Sequence, residues 1–139
     1  MSNEPNIYPS VFYRDAPAAI DWLCRAFGFE KRLIVPGEDG SIAHSELSLG
    51  PGFIMVGTAR DERREKSPLD VHGETGGVYV WVEDVTAHYE RAKAVGATVT
   101  RPLETKDYGG SGFTVRDPEG HEWSFGDYRV GSYNQEDVR

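Results

Sequence analysis

Cysteine, basic charge and long apolar runs are all scarce in this sequence. Cys24 is the single cysteine among 139 residues, which excludes an internal disulfide. No apolar run approaches the roughly 20 residues that a membrane-spanning helix needs. The first residues, Met-Ser-Asn-Glu-Pro, form neither a basic nor an apolar segment, so no secretory signal peptide is expected. A reducing cytoplasm is therefore the expected location, and a membrane is not an expected partner.

The small number of basic residues also limits the classes of molecule that the protein is expected to bind. The chain has 15 Lys and Arg against 23 Asp and Glu, a formal net charge of −8. Nucleic acids and anionic membranes are recognised through basic surfaces, so neither is expected here. Hydrophobic residues make up 38% of the chain and aromatic residues 12%. This composition and length are typical of one globular domain with a substantial core.

The most informative feature that is present is a repeat. A strand-like run ends in an aspartate, a helix follows, and a glycine closes the helix. The same order of features returns about 68 residues later, which indicates two copies of one structural unit. The paired landmarks are Asp15 and Asp84, Gly28 and Gly96, and the later turn glycines Gly52 and Gly120.

Each copy predicts one strand, one helix and three further strands. The aspartates are good N-caps, and the glycines are typical helix ends. Both helices carry an apolar stripe at helical spacing, which needs one face of a sheet to cover it. The stripe residues are Ile20, Leu23, Cys24 and Phe27 in the first helix and Val85, Tyr89, Ala92 and Val95 in the second.

The sequence therefore predicts an α+β fold of two βαβββ modules related by pseudo-twofold symmetry. Their free sheet faces would enclose a half-open, barrel-like cleft. Module one is expected at about 6–58 and module two at about 77–129. The charged segment at about 59–76 is a predicted linker with a short helical turn, and residues 130–139 form a polar tail. His88 is expected on the exposed side of the second helix, and His121 is expected to hydrogen-bond in a turn.

Three segments resemble the glyoxalase/bleomycin-resistance/dioxygenase group, the vicinal oxygen chelate superfamily. The first is Asp15-Ala-Pro-Ala-Ala-Ile-Asp-Trp-Leu, closing at Phe27-Gly28-Phe29. The second runs from Val82-Glu-Asp-Val to Ala94-Val-Gly-Ala97. The third is the hairpin Phe113-Thr-Val-Arg-Asp-Pro-Glu-Gly-His-Glu-Trp-Ser-Phe125. The resemblance covers about residues 7–128 and implies the fold; this scaffold carries isomerases, dioxygenases, transferases and drug-binding proteins.

Metal-dependent members of that superfamily place ligands on the cleft side of four strands. In this sequence the corresponding positions are Tyr8, Met55, Gly77 and Ser124. A catalytic metal centre normally takes three protein ligands with nitrogen, oxygen or sulfur donors of the metal-binding types. A phenol, a thioether, a missing side chain and a hydroxyl do not supply them. No metal and no cofactor are therefore predicted at these positions.

One alternative is a relocated metal or acid–base site. His44 and Glu46 are two residues apart on a predicted strand, so they share a face, and His72 in the linker is a conceivable third ligand. The simpler interpretation is a polar pair at the mouth of a cleft. The catalytic residues are thus unknown, with His44 and Glu46 as the candidates.

Strand alternation indicates which side chains line the cleft. The expected lining is aromatic with a few polar groups, as ligand pockets often are. A packed core or a dimer interface is the competing explanation for the same aromatic residues. The predicted ligand-binding residues are Tyr8, Ser10, Phe12, His44, Glu46, Met55, Tyr79, Trp81, Ser124 and, on a glycine-rich loop, Tyr108.

Three functions remain open from the sequence. The first is a metal-free protein that binds a small molecule, such as a drug or antibiotic, similar to the bleomycin-resistance branch. The second is a glyoxalase-like lyase or isomerase, or a dioxygenase-type enzyme, that uses the His44–Glu46 site. The third is a ligand-sensing module without chemistry. The resemblance and the open sheet edges also imply a homodimer, with a small molecule as the other partner.

Overall fold

Each copy of the repeat folds into a mixed sheet of four strands with one long helix. The computed structural model describes residues 4–105 and 110–132. Strand order is β1-β4-β3-β2 in the first sheet and β5-β8-β7-β6 in the second, and the first strand of each module pairs in parallel with the last. The expected α+β fold of two similar modules is confirmed. Across the described residues, no helix has the length and apolarity needed to cross a bilayer.

The elements follow the sequence landmarks closely. Module one contains β1 (Ser10–Tyr13), α1 (Ala16–Phe27), β2 (Glu30–Pro36), β3 (Ile42–Leu49) and β4 (Gly52–Thr58). The linker holds a 3-10 turn (Asp61–Arg63) and the short helix α2 (Pro68–Val71). Module two contains β5 (Gly77–Trp81), α3 (Val85–Val95), β6 (Thr98–Thr105), β7 (Ser111–Arg116) and β8 (Glu122–Gly126).

The two long helices begin and end as their sequences indicate. The carboxylate of Asp15 accepts a hydrogen bond from the Ala18 amide at 3.1 Å, and Asp84 caps α3 in the same way. Each cap satisfies one of the amides that have no partner inside the helix. Gly28 and Gly96 end the helices with φ angles of +88° and +106°. Only glycine adopts this left-handed conformation without strain, so it is well suited to both positions.

Both helices lie between the two sheets rather than on opposite sides of them. Phe27 of α1 lies 5.4 Å from the ring of Trp123 and 4.8 Å from the ring of Phe125, both on β8. Leu47 and Val56 of the first sheet belong to the same continuous core. The helix-covered faces of the two sheets therefore face each other, and the opposite faces point away from each other within one chain.

A buried aspartate in the turn between β7 and β8 connects the modules. Asp117 Oδ1 accepts the backbone amides of Glu119, Gly120 and His121 at 3.0–3.1 Å. Its Oδ2 accepts the hydroxyl of Tyr13 at 2.6 Å and the indole N–H of Trp123 at 3.0 Å. Burial, followed by the adjacent Asp117 carboxylate, holds the pKa of Tyr13 well above its usual value, so this phenol stays a donor.

The next acidic residue extends the same junction. Glu119 Oε1 accepts the Arg14 amide at 2.7 Å and the Ser67 hydroxyl at 2.6 Å, while Oε2 accepts the Asp15 amide at 2.9 Å. The turn of module two thus holds both the start of α1 and the linker. Because every carboxylate oxygen has donors, these buried charges are satisfied.

His121 is confirmed as a hydrogen-bonding residue, and it also joins three segments. Its Nε2 donates to the Phe12 carbonyl at 2.7 Å, and its Nδ1 contacts the Glu74 carboxylate at 2.9 Å. The ring also lies edge-on to Tyr13, with 4.6 Å between centroids. The turn sequence therefore ties β1, the linker and module two together.

His88 is not exposed, contrary to the sequence expectation. Its ring is half-buried and stacks on Phe125 with 6.0 Å between centroids. Its Nδ1 is buried and has no hydrogen-bond partner within the described part of the chain. The face of α3 that packs against the sheet extends beyond its stripe of apolar residues. The imidazole occupies part of that face.

We expect His88 to make the fold less stable in acid. Burial, and then the Arg91 charge, lower its pKa in the folded state. The neutral ring stabilises the fold fully above the unfolded pKa of about 6.5, and this contribution is lost as the pH falls toward the lower folded value. Urea unfolding from about pH 7.5 to pH 5 should show a smaller loss of stability for His88→Phe than for the wild type. Equal losses in the two proteins would contradict this assignment.

Candidate functional site

The free face of the first sheet, which we call the module-one face, brings together several residues expected in the cleft. Tyr8, Glu46 and Met55 line a depression of about 300 Å³ together with Phe53. The rings of Tyr8 and Phe53 meet edge to face with 6.5 Å between centroids. Tyr8 also donates its hydroxyl to the Pro5 carbonyl. The depression is thus mainly apolar, with one carboxylate at its wall.

His44 and Glu46 form a direct contact on this face. His44 Nε2 lies 2.9 Å from Glu46 Oε2, and about 40% of each side chain is exposed. Both residues lie on β3 with their side chains on the same side of the sheet, as alternation predicts. Glu46 offers an acceptor to a molecule bound in the depression, and His44, which does not line it, contacts that carboxylate.

The predicted set of cleft-lining residues does not include two apolar residues that lie beside this pair. Leu33 and Val35 of β2 pair with Glu46 and His44, so they share the module-one face. They are 43% and 39% exposed. The available signal was the apolar run Leu33-Ile34-Val35, which lies on the edge strand β2. Phe53 was also missed, although it alternates correctly with Met55 along β4.

The remaining two residues of module one lie on β1. Ser10 is exposed and pairs with Met55, so it is next to the depression. Phe12 is half-buried and pairs with Gly57. A Cβ atom at Gly57 would lie 3.8 Å from the Phe12 ring, so the ring rests close to that strand. Neither residue is among those that line the depression.

The free face of the second sheet, the module-two face, carries Tyr79, Trp81 and Ser124. Tyr79 and Trp81 are 40% and 37% exposed. Ser124 pairs with Tyr79 across the sheet, and its hydroxyl is 2.8 Å from the hydroxyl of Thr114. The sequence expectation that these three side chains share a face agrees with the register.

The hydroxyl of Tyr79 and the indole N–H of Trp81 both have hydrogen-bond partners in the chain. Tyr79 donates its hydroxyl to the Tyr128 carbonyl at 2.7 Å, and Trp81 donates its indole N–H to the Asp127 carbonyl at 3.1 Å. A Cβ atom at Gly126 would lie 2.8 Å from the Tyr79 hydroxyl, so only glycine leaves room for this arrangement. The rings are therefore held in place and present their faces, rather than their tips, to a ligand.

The two modules border one groove within a single chain, although their free faces point away from each other. A groove of about 370 Å³ is lined by Phe53 of module one and by Tyr79, Trp81 and Arg129 of module two. Tyr8, Glu46 and Met55 do not line it. Tyr108 lies outside the described residues, so its expected role as part of a lid stays a prediction.

The match to a family model decides the classification. The model of the Glyoxalase/Bleomycin resistance protein/Dioxygenase superfamily matches residues 8–125, which is most of both modules. The chain belongs to this superfamily. Its fold, with two four-stranded sheets and no closed barrel in the described residues, agrees with that membership.

Proteins similar to this chain include two mycobacterial proteins and one protein of known structure. An uncharacterized protein of Mycobacterium bovis is 32% identical over 126 residues, covering 88% of this chain and 83% of its own length. An uncharacterized protein of Mycobacterium tuberculosis shows the same identity and covers 74% of its own length. The crystal structure of TioX from Micromonospora sp. ML1 is 35% identical with a TM-score of 0.70, covering 93% of this chain and all of that one.

More distant members share the fold alone. A lactoylglutathione lyase from Agrobacterium tumefaciens is 19% identical with a TM-score of 0.67, covering 95% of this chain and 100% of its own. The fosfomycin resistance protein FosX from Listeria monocytogenes is 13% identical with a TM-score of 0.68, covering 93% and 97%. At these identities the likeness does not carry an activity to this chain.

The superfamily's metal does not fit the side chains at the four corresponding positions. Tyr8 and Met55 supply a phenol and a thioether, Gly77 supplies nothing, and the Ser124 hydroxyl contacts Thr114. The described residues contain no group of three His, Cys, Asp or Glu side chains placed to hold a metal ion. His72 lies instead in a linker cavity and does not complete a ligand set with His44 and Glu46. No reaction step is derived through a metal.

Proposed function

We propose that this protein binds a small molecule, such as a drug or antibiotic, without a metal-dependent active site, as bleomycin-resistance members of the superfamily do. The observation that carries the proposal is the apolar depression of about 300 Å³ that contains the Glu46 carboxylate. Such a concave apolar surface with one or two polar groups is the usual form of a ligand site. The ligand would contact Phe53 and Met55 and direct a hydrogen-bond donor or a cationic group at Glu46.

The proposed binding site uses a second copy of the chain. The module-one and module-two faces point away from each other in one chain, since both helices lie between the sheets. In a homodimer, the module-two face of one copy would close the module-one face of the other. The exposed apolar residues Leu33 and Val35 would then lie at the wall of a deeper cleft.

Glu46→Gln should weaken binding of a cationic ligand by about tenfold or more, because it removes a charge-assisted hydrogen bond. Ligands would be found by a thermal-shift screen of aromatic and cationic antibiotics, and affinities measured by calorimetry. Glu90→Gln is the matched control, since Glu90 lies on the surface of α3 and pairs with Lys93. Equal affinity of Glu46→Gln and the wild type for a verified ligand would remove Glu46 from the site.

The contact between His44 and Glu46 favours one second candidate, an enzyme that uses the pair in acid–base chemistry. A glyoxalase-like lyase or isomerase would then be the reaction class. The two candidates differ in the fate of the bound molecule. Recovery of the intact ligand after long incubation supports binding alone, whereas its conversion by the wild type, and not by His44→Gln, supports the enzyme. Stoichiometric metal lost on substitution of His44 would support a relocated metal site.

A further inference from the structure

The chain after β8 folds back over the module-two face. The carbonyl oxygens of Asp127 and Tyr128 accept the hydrogen bonds from Trp81 and Tyr79. Asp127 is itself held, because its Oδ1 accepts the Ser111 amide at 2.7 Å. The segment therefore has a defined course next to the two aromatic rings, and the following residue is placed by it.

That residue, Arg129, covers the face of the indole. The guanidinium carbon lies 3.6 Å from the centroid of the Trp81 ring. No ion pair of Arg129 is found among residues 4–105 and 110–132. Contacts of this kind at exposed positions are weak and change an equilibrium constant by about two- to fivefold. Arg129 is thus a weakly held, flat cation on the aromatic surface that lines the groove between the modules.

An acidic depression shares Asp127 with the segment that holds the indole. Glu83, Asp84 and Asp127 line one depression on module two, and Trp81 is bonded to the backbone of the third of them. A surface with several carboxylates raises the local concentration of cations.

We propose that the Trp81 face is a subsite for a planar cationic group, and that Arg129 is its internal occupant, which a ligand displaces. This inference deepens the proposed function, on which it rests, by naming the chemistry of one part of the ligand. The ligand stacks its cationic ring on the indole, and the Arg129 side chain moves into solvent. Part of the binding free energy is then used to break the internal contact.

Titration with N-methylquinolinium tests this proposal through quenching of tryptophan fluorescence. The signal reports on Trp81, because Trp22 and Trp123 are only 7% and 0% exposed. Arg129→Ala should bind the probe about two- to fivefold more tightly than the wild type, which corresponds to the free energy of one exposed cation–π contact. Arg63→Ala, which removes the same charge from the exposed linker turn, should leave the affinity at the wild-type value.

Trp81→Phe completes the test, because it keeps an aromatic face with a weaker attraction for cations. In this background the additional change Arg129→Ala should alter the probe affinity by less than twofold, measured by calorimetry. The proposal is overturned if Arg129→Ala binds the probe as the wild type does or more weakly, or if neither protein shows saturable binding. Failure of the proposed function would look different: no compound would depend on Glu46, while the effect of Arg129 on the probe would persist.

Discussion

Replacing Asp117 with asparagine should lower the free energy of unfolding by about 3–5 kcal/mol, because at least two buried donors lose their acceptor at about 1–3 kcal/mol each. The carboxylate accepts five hydrogen bonds, three on Oδ1 from backbone amides and two on Oδ2 from Tyr13 and Trp123. A carboxamide places an NH₂ group against donors whichever way it is turned. Since domains of this kind are stable by about 5–15 kcal/mol, the variant would lose a large fraction of its stability.

Urea denaturation followed by circular dichroism measures this effect. Tyr13→Phe is the graded control, because it removes one donor and leaves the other four in place. Its expected cost is about 1.5–3 kcal/mol, the range for a hydrogen bond to a charged group. A loss below about 1 kcal/mol for Asp117→Asn would show that the turn is not the main junction between the modules.

The fold was predictable because its signals are local and occur twice. Asp15 and Gly28 mark the limits of α1 in the same way that Asp84 and Gly96 mark those of α3. Caps and left-handed glycines depend on a few neighbouring residues, so a single sequence displays them. Pro102 has no amide hydrogen to donate to a neighbouring strand, and it lies on β6, an edge strand of the second sheet.

The contacts that join distant segments were not predictable in this way. Asp117 and Tyr13 are 104 positions apart. The residues around Asp117 are already typical of a turn, so they give no sign of the contact with Tyr13. The sequence predicts an exposed His88 on the second helix, whereas in the structure its ring stacks on Phe125. The Tyr13–Asp117 contact arises when the two modules pack together, and hydrophobic periodicity does not encode it. The His88–Phe125 contact forms within module two, between α3 and β8.

The candidate site also combines features that the sequence predicts with features that it does not. Alternation along the strands placed His44, Glu46, Tyr79 and Trp81 on the free faces, which agrees with the register. It did not indicate that the two faces would point away from each other, since that depends on both helices lying between the sheets. Nor did it indicate that the chain after β8 would cover Trp81, because no periodic pattern marks Arg129.

Two variants that each lack ligand binding should restore it when they are combined in one dimer. Glu46→Lys alters the module-one face, and Trp81→Ala alters the module-two face. Each change should weaken binding of the tightest compound from the screen by at least about 30-fold, a cost of about 2 kcal/mol. If each cleft takes one face from each copy, the mixed dimer contains one cleft with both changes and one with neither.

Co-expression with two different affinity tags isolates the mixed dimer, and calorimetry counts its sites. We expect one site per mixed dimer at wild-type affinity and none in either variant alone. A cleft formed within a single chain gives the opposite result, because each copy of the mixed dimer would carry one damaged face. Phe53 borders both the Glu46 depression and the Trp81 groove, so a single-chain site would be built around that residue. Absence of binding in the mixed dimer, with Phe53→Ala abolishing binding in the wild-type background, would establish the single-chain arrangement.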